Sequence, residues 1–239
     1  MTDRKAARWP AALIVIVTIA CLAGGSVLLV SGAMSHPPAA ASLPVSQFAV
    51  RPGALGTLPP LRPGPITVTG AMPGRPGTRC SIAVTRSRLV IPSLCVSGPI
   101  VLTEMQRDGA LVIPRDVREI AMWDGGAQLS GPAGRLVRLG TTLLAGHVDY
   151  AGQGDGTLFD LYQVQPGAVV YTSDASGHVA RWRVTSLIVA VKSHLPSWVF
   201  AGPAGARKLV IVTCGGPVDY VQGHGYSYAD NVIATAIPG

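Results

Sequence analysis

A cysteine stands at the end of an apolar run near the C-terminus. Residues 209–214 read LVIVTC, and two glycines follow. The β-branched residues of this run predict a strand, so the thiol of Cys214 is expected at the exposed end of that strand. A thiol is nucleophilic once it becomes a thiolate, and a neighbouring histidine is the usual group that forms or stabilises one. The sequence therefore predicts nucleophilic thiol chemistry at Cys214.

Five histidines are candidates for that neighbour. Three of them occur where a surface, tether or packing role is the ordinary expectation: His36, His178 and His194. His224 lies in the loop QGHGYSY, ten residues past Cys214, and is a rival. His147 ends the apolar run TTLLAGHV and so mirrors Cys214 at the end of another predicted strand. Because strands hold side chains more accurately than mobile loops do, we favour His147.

The other cysteines are expected to serve structure. Cys21 falls in an apolar span near the N-terminus, where a small buried residue needs no function. Cys80 and Cys95 flank the first predicted strand of the folded domain, and in an exported protein such a pair is expected to form a disulfide. The bridge would stabilise the fold by about 3 kcal/mol in the chain-entropy account, and two separate thiols are the alternative. With the bridge formed, Cys214 is left outside it, which is the pattern of a reactive thiol.

The N-terminal residues predict a membrane anchor. Residues 11–31 hold no charged side chain, and their length of about 20 residues is enough to cross a bilayer. The preceding segment, residues 1–10, is basic, so it is expected to stay in the cytoplasm while the rest is exported. A retained signal-anchor is favoured over a signal peptide cleaved near Ala39–Ala41. We expect a single-pass protein of the cell membrane with an extracellular domain.

Downstream of the anchor, the chain has the composition of a tether followed by one β-rich domain. Residues 32–79 are rich in Pro, Gly and Ala, which predicts an extended extracellular tether. In residues 80–239, strands are predicted near 81–91, 98–104, 110–114, 135–148, 168–174, 178–191, 208–213 and 231–237. A short helix is predicted at 117–124, VREIAMWD. Because closing a sheet removes its exposed edges, we predict an all-β fold, an eight-stranded barrel with one or two short helices.

Neither spacing nor charge indicates a metal, a cofactor or a nucleic acid. The chain has no CxxC pair, no histidine at ligand spacing from another ligand and no convincing carboxylate cluster. The formal net charge of +7 arises before residue 89, because basic and acidic side chains nearly cancel after it. This membrane-proximal excess either meets anionic lipids or wall polymers or only keeps the tether solvated. No basic stripe interleaved with aromatic residues marks a nucleic-acid surface.

Several motifs resemble those of the sortase family, and the resemblance covers roughly residues 80–238. Its central elements are a strand that ends in VTC at 212–214 and an upstream strand that runs into AGHVDY at 145–150. The segments RLVIPSLCVSGPIV and DGALVIP resemble early strands of the family, while CGGPVDY and YADNVIATA resemble the actinobacterial sortases of class E or F. The sequence is thus similar to a whole sortase domain, with a membrane anchor and tether before it.

The resemblance implies a β-barrel cysteine transpeptidase. Cys214 would attack the Thr–Gly bond of a C-terminal sorting signal, LPxTG-like, in exported proteins, and an amine of a cell-wall precursor would release the acyl group. His147 would act as general acid and base. Thr213 would support the substrate or the oxyanion, and Asp149 either orients its loop or is a turn residue. Another wall-directed cysteine peptidase and a catalytically silent binding module are the alternatives.

One residue departs from the family pattern. Sortases carry an arginine on the last strand, and Ala229 occupies the position where we expect it. Arg207 is a poor substitute, because it lies seven residues before Cys214 on the same predicted strand and faces the other way. Four residues are candidates to take over the role of the missing arginine. Arg181 and Arg183 would act as cations, Tyr228 as a hydroxyl donor, and Asn231 as an amide donor to the substrate or the oxyanion.

Overall fold

The computed structural model describes residues 62–63, 66–72, 77, 79–131, 137–221 and 225–239. The predicted cytoplasmic segment 1–10, the predicted anchor 11–31, most of the predicted tether and His224 lie outside these residues. In the part of the chain that is described, no helix has the length and apolar character that crossing a bilayer requires.

The regular structure of the described chain consists almost entirely of strands. In chain order they are β1 (Arg62–Pro63), β2 (Ile66–Ala71), β3 (Arg79–Val84), β4 (Arg88–Ile91), β5 (Val96–Thr103), β6 (Ile120–Trp123), β7 (Thr141–Gly146), β8 (Asp149–Tyr150), β9 (Gly154–Asp155), β10 (Val169–Ser173), β11 (His178–Val191), β12 (Lys208–Val221) and β13 (Gly225–Pro238). The helices are short 3₁₀ turns at Pro92–Leu94, Phe159–Gln163, Lys192–His194 and Ser197–Phe200.

Eight of these strands close into a barrel, which confirms the predicted fold class. The order is β10-β4-β5-β6-β7-β12-β13-β11, and β11 pairs back with β10. Most pairs are antiparallel, but β5–β6 and β7–β12 are parallel. Closure leaves no open edge in this ring. The two-residue β1 pairs with β11, and the β2–β3 hairpin lies outside the barrel.

Alternation along the strands produces two apolar clusters. In β12, Leu209 and Ile211 belong to the cluster that fills the barrel, together with alternate residues of β13 such as Val232 and Ala234. The intervening residues of β12, Val210 and Val212, belong to a second cluster on the outer face. Because both faces of β7 and of the first half of β12 are buried, these strands are continuous apolar runs.

Two predicted elements near residue 115 are wrong. Residues 117–124 were expected to be helical, but Ile120–Trp123 forms β6, between β5 and β7. Residues 110–114 were expected to be a strand, yet only Leu111 pairs, in an isolated bridge with Met105. A four-residue apolar run fits either a helix or a strand, and pairing on both sides decides the outcome for β6.

The N-terminal hairpin is fastened to the barrel covalently. Cys80, in β3, forms a disulfide with Cys95, and their Cα atoms are 5.8 Å apart. Cys95 has a left-handed backbone (φ 54°) at the end of the first 3₁₀ turn, immediately before β5. The bridge therefore ties the hairpin to the start of a barrel strand. Strands are also present before residue 80, because β1 and β2 fall within the predicted tether.

Candidate active site

The two predicted catalytic side chains meet at the ends of neighbouring parallel strands. The register of β7 and β12 pairs Val212 with Ala145. Two further steps along both strands bring Cys214 beside His147, on strands about 4.8 Å apart. Cys214 lies outside the disulfide. The structure thus brings together the cysteine and histidine that the sequence singled out.

Both side chains belong to the outer face of the barrel. Leu143 and Ala145 of β7, and Val210 and Val212 of β12, are members of the outer cluster, and so is Cys214. Side chains two residues apart in a strand share a face, so the same alternation places His147 on that side. The pair therefore lies on the outer wall and not in the filled interior.

The cysteine is buried, which differs from the exposed strand end expected from the sequence. Only 1% of Cys214 and 2% of His147 are accessible to solvent. The outer cluster contains Val148 and Val199, from the segments that follow β7 and precede β12, as well as Tyr228 from β13. These segments cover the strand ends, a tertiary effect that the local sequence of β12 does not contain.

Contacts around His147 fix the orientation of its ring. Nε2 is 2.9 Å from the carbonyl oxygen of Pro114, and the ring packs edge-on against Tyr150 with centroids 5.1 Å apart. A carbonyl only accepts, so Nε2 carries the hydrogen and Nδ1 is the basic nitrogen of the neutral ring. Gly156 approaches so closely that an added Cβ would lie 2.3 Å from the His147 carbonyl oxygen. Pro114 and Gly156 were not identified as site residues from the sequence.

Thr213 joins the two strand ends. Its hydroxyl donates to the carbonyl oxygen of Gly146, at 2.9 Å, and the side chain is 1% exposed. Gly146 directly precedes His147, and Thr213 directly precedes Cys214. The Thr213 hydroxyl therefore holds Cys214 and His147 in register, which is a positioning role. Because its proton is used in this bond, the oxyanion must be stabilised by other donors.

Asp149 and Tyr228 connect the segment after His147 to the last strand. The Tyr228 hydroxyl donates to Asp149 Oδ2 at 2.6 Å. Tyr228 is 8% exposed and belongs to the outer cluster. This bond supports the interpretation that Asp149 orients its loop.

Asn231 lies directly across from Cys214 on β13. The antiparallel register pairs Cys214 with Asn231, and the next position pairs Gly215 with Asp230. Ile233, two residues further along β13, belongs to the outer cluster, so alternation puts Asn231 on the same face as Cys214. Its side chain is 0% exposed. Three polar side chains therefore stand in a row across β7, β12 and β13: His147, Cys214 and Asn231.

None of the three arginines considered from the sequence replaces the one expected at position 229. Arg207 is buried at the start of β7, where it donates to Thr142 Oγ1 at 2.8 Å and to Gln128 O at 3.0 Å and lies 4.9 Å from the Trp182 ring. Burial lowers its pKa to about 10, so it remains charged at neutral pH. Arg207 therefore contacts the end of β7 that is opposite to His147, as its position seven residues before Cys214 predicted.

Arg181 and Arg183 are also remote. The register pairs Arg183 with Ile237, six positions from Asn231 along β13, or about 20 Å at 3.3 Å per residue. Arg181 lies two residues further away along β11. A cation that sequence reasoning missed is Lys192, just after β11, whose Nζ donates to Ser227 Oγ at 2.9 Å. Only the pairing of β11 with β13 reveals that Lys192 lies near position 229.

A small apolar groove lies on the same outer face as the pair. It is lined by Leu111, Leu143, Ala145, Leu195, Val199, Phe200 and Val212. Ala145 lies two residues before His147, and Val212 lies two residues before Cys214, so this lining is close to the pair in both strands. No three His, Cys, Asp or Glu side chains of the described residues lie close enough together to hold a metal ion.

The chain is similar to several known proteins. Residues 89–238 match the family model described as "Sortase domain". Similar solved structures include sortase C-1 from Actinomyces oris, with 19% identity, 62% of this chain and 70% of that chain covered, and a TM-score of 0.45. Sortase A from Corynebacterium diphtheriae is another, with 16% identity, 65% and 60% coverage and a TM-score of 0.44. A comparison with curated proteins gave no match.

Proposed function

Because the chain belongs to the sortase family of cysteine transpeptidases, we propose that it cleaves a C-terminal sorting signal of exported proteins and transfers the acyl part to a cell-wall amine. The observation that carries this proposal is the juxtaposition of Cys214 and His147. They follow paired positions of two parallel strands, on one face, and Thr213 ties the strand ends together. A nucleophile beside a ring whose orientation is fixed is the arrangement that acyl transfer through a thioester requires.

The first half-reaction forms the thioester. Nδ1 of His147 accepts the thiol proton, and Cys214 Sγ attacks the carbonyl carbon of the substrate threonine. A C–S bond forms, and the carbonyl π electrons move to the oxygen. When the oxyanion collapses, the C–N bond to glycine breaks, and the departing amine takes the proton from His147.

The second half-reaction transfers the acyl group. The acceptor amine attacks the thioester carbon, and His147 accepts a proton from it. The C–S bond then breaks, the new amide is released, and Cys214 recovers its proton. No external oxidant, metal or cofactor enters either half-reaction.

The groove supports an LPxTG-like signal as the substrate. Its lining is apolar and includes Ala145 and Val212, two residues before the proposed catalytic pair, so it offers contacts to the Leu and Pro (or Ala) that precede the scissile bond. The segments CGGPVDY and YADNVIATA further support a class E or F type within the family.

The test of this function is thioester capture on the full-length chain. Incubation with an LPxTG or LAxTG peptide is expected to increase the intact mass by the acyl part of the peptide, and hydroxylamine or triglycine is expected to remove the adduct. A matched LPxGT peptide, in which the last two residues are exchanged, is the control. If Cys214 reacts with a thiol reagent but neither peptide gives an adduct, the proposed activity is wrong and a silent binding module is favoured.

We also propose that residues 11–31 retain the protein in the cell membrane with the domain outside. The charge-free span and the basic residues before it support this topology. Membrane pellets washed with carbonate are expected to keep the intact chain, whereas an Ile16→Arg, Ile19→Arg double variant should lose it, because charges at the centre of a span oppose insertion. A mature N-terminus near residue 42 would show instead that the span is a cleaved signal peptide.

A further inference from the structure

Asn231 is a buried polar side chain with no bonding role in the described fold. It is 0% exposed, and neither its Oδ1 nor its Nδ2 has a hydrogen-bond partner among the described residues. Buried amides are normally bonded, and leaving one unbonded destabilises a protein. A group retained at that cost, inside the proposed site, points to a partner that arrives with the substrate.

The position of Asn231 defines where that partner would be. Paired residues of antiparallel strands have Cβ atoms about 4.5–5.5 Å apart, and the partner of Asn231 in the register is Cys214. His147 flanks Cys214 from the other side, through β7. A carbonyl carbon attacked by Sγ would therefore sit between a basic nitrogen on one side and a carboxamide on the other.

We propose that the Nδ2–H of Asn231 donates to the carbonyl oxygen of the substrate threonine while Cys214 attacks it. This role rests on the transpeptidase function proposed above. As the C–S bond forms, the carbonyl π electrons move to that oxygen, and the neutral amide stabilises the resulting charge without transferring a proton. The same donor serves when the acceptor amine attacks the thioester. Asn231 then takes over the oxyanion support that an arginine at position 229 would give.

Lys192 is the competing cation. Val191 pairs with Asp230, and Lys192 follows it, so its ammonium group is near the same end of β13. However, Nζ donates to Ser227 Oγ, four residues from Asn231 and beyond Ala229. The amide of Asn231 is adjacent to Cys214, and no described bond has to be broken to use it.

The experiment compares two rates at the same cysteine in the full-length chain. One is thioester formation with an LPxTG peptide under single-turnover conditions, and the other is alkylation by iodoacetamide, which develops no oxyanion. Asn231→Leu and Asn231→Asp are expected to lower the acylation rate by about 10²–10³-fold and to change alkylation less than about threefold. Thr141→Val, which also removes a buried polar atom without a described partner, is the matched control and should change neither rate.

Melting temperature adds an independent readout. Replacing an unbonded amide by an apolar side chain of similar size is expected to raise the melting temperature of Asn231→Leu by about 2–4 °C. Higher stability with lower acylation is the signature of a group kept for chemistry.

Any of the following results would contradict this role of Asn231. Acylation by both Asn231 variants within threefold of wild type would overturn it, and a loss in Lys192→Met alone would assign the role to the lysine. A parallel fall of acylation and alkylation would mean that Asn231 only shapes the site. If the wild-type chain forms no thioester, the proposed function fails and this inference fails with it.

Discussion

The Cys214→Ala variant is expected to form no acyl adduct, and its transpeptidation rate should fall by about 10⁵–10⁶-fold. The reason is that both half-reactions pass through the Cys214 sulfur, so that its removal leaves only direct attack by the acceptor amine. Progress of the LPxTG reaction with triglycine, followed by chromatography, measures the loss, and intact mass checks the adduct.

The control for this variant is a measurement of its melting temperature, which shows whether it is folded. Cys214 lies in the outer apolar cluster, and alanine is smaller and apolar, so the variant should remain folded and melt within a few degrees of wild type. The wild-type chain alkylated at Cys214 provides a matched inactive protein with an unchanged sequence. An adduct on the Cys214→Ala variant at the wild-type rate would show that another residue is the nucleophile.

The His147→Gln variant is expected to lose about 10²–10⁴-fold in kcat. Glutamine can still donate to the Pro114 carbonyl through its amide, but it cannot accept and return a proton. Both acylation and transfer should slow, because each half-reaction moves a proton through this ring. Single-turnover acylation and multiple-turnover transfer, each measured with the LPxTG peptide, separate the two effects.

His224→Gln is the matched control for the histidine assignment. It changes the rival histidine, which belongs to the segment between the described parts of β12 and β13, and it should stay within about threefold of wild type if His147 is the base. The reverse pattern, in which His224→Gln loses activity and His147→Gln keeps it, would reassign the general base to the loop.

The positions of Cys214 and His147 at strand ends were predictable because the signals are local. Cys214 and His147 each end a run of apolar residues, and such runs identify strands without any tertiary information. The family motifs around them strengthened the prediction. What the local sequence could not supply was burial, because the segments that cover Cys214 come from distant parts of the chain.

Features set by pairing between strands were predicted less well. Residues 120–123 form a barrel strand only because β5 and β7 flank them, while 110–114, richer in β-branched residues, has no neighbour to pair with beyond one bridge. Asn231 was identified as a donor from its chain position near Ala229, but its place opposite Cys214 follows from the β12–β13 register. Lys192 was missed for the same reason.

The parallel pairing of β7 and β12 has a consequence for the time at which activity appears. The bond between Thr213 and Gly146 joins residues 67 positions apart, and closing so long a loop is slow compared with forming a hairpin. The proposed nucleophile and its base are therefore far apart in the nascent chain, and they come together only in a late step of folding. Under the proposed membrane topology, a chain exported unfolded would carry no assembled site, and the site would form only when the domain folds outside the cell.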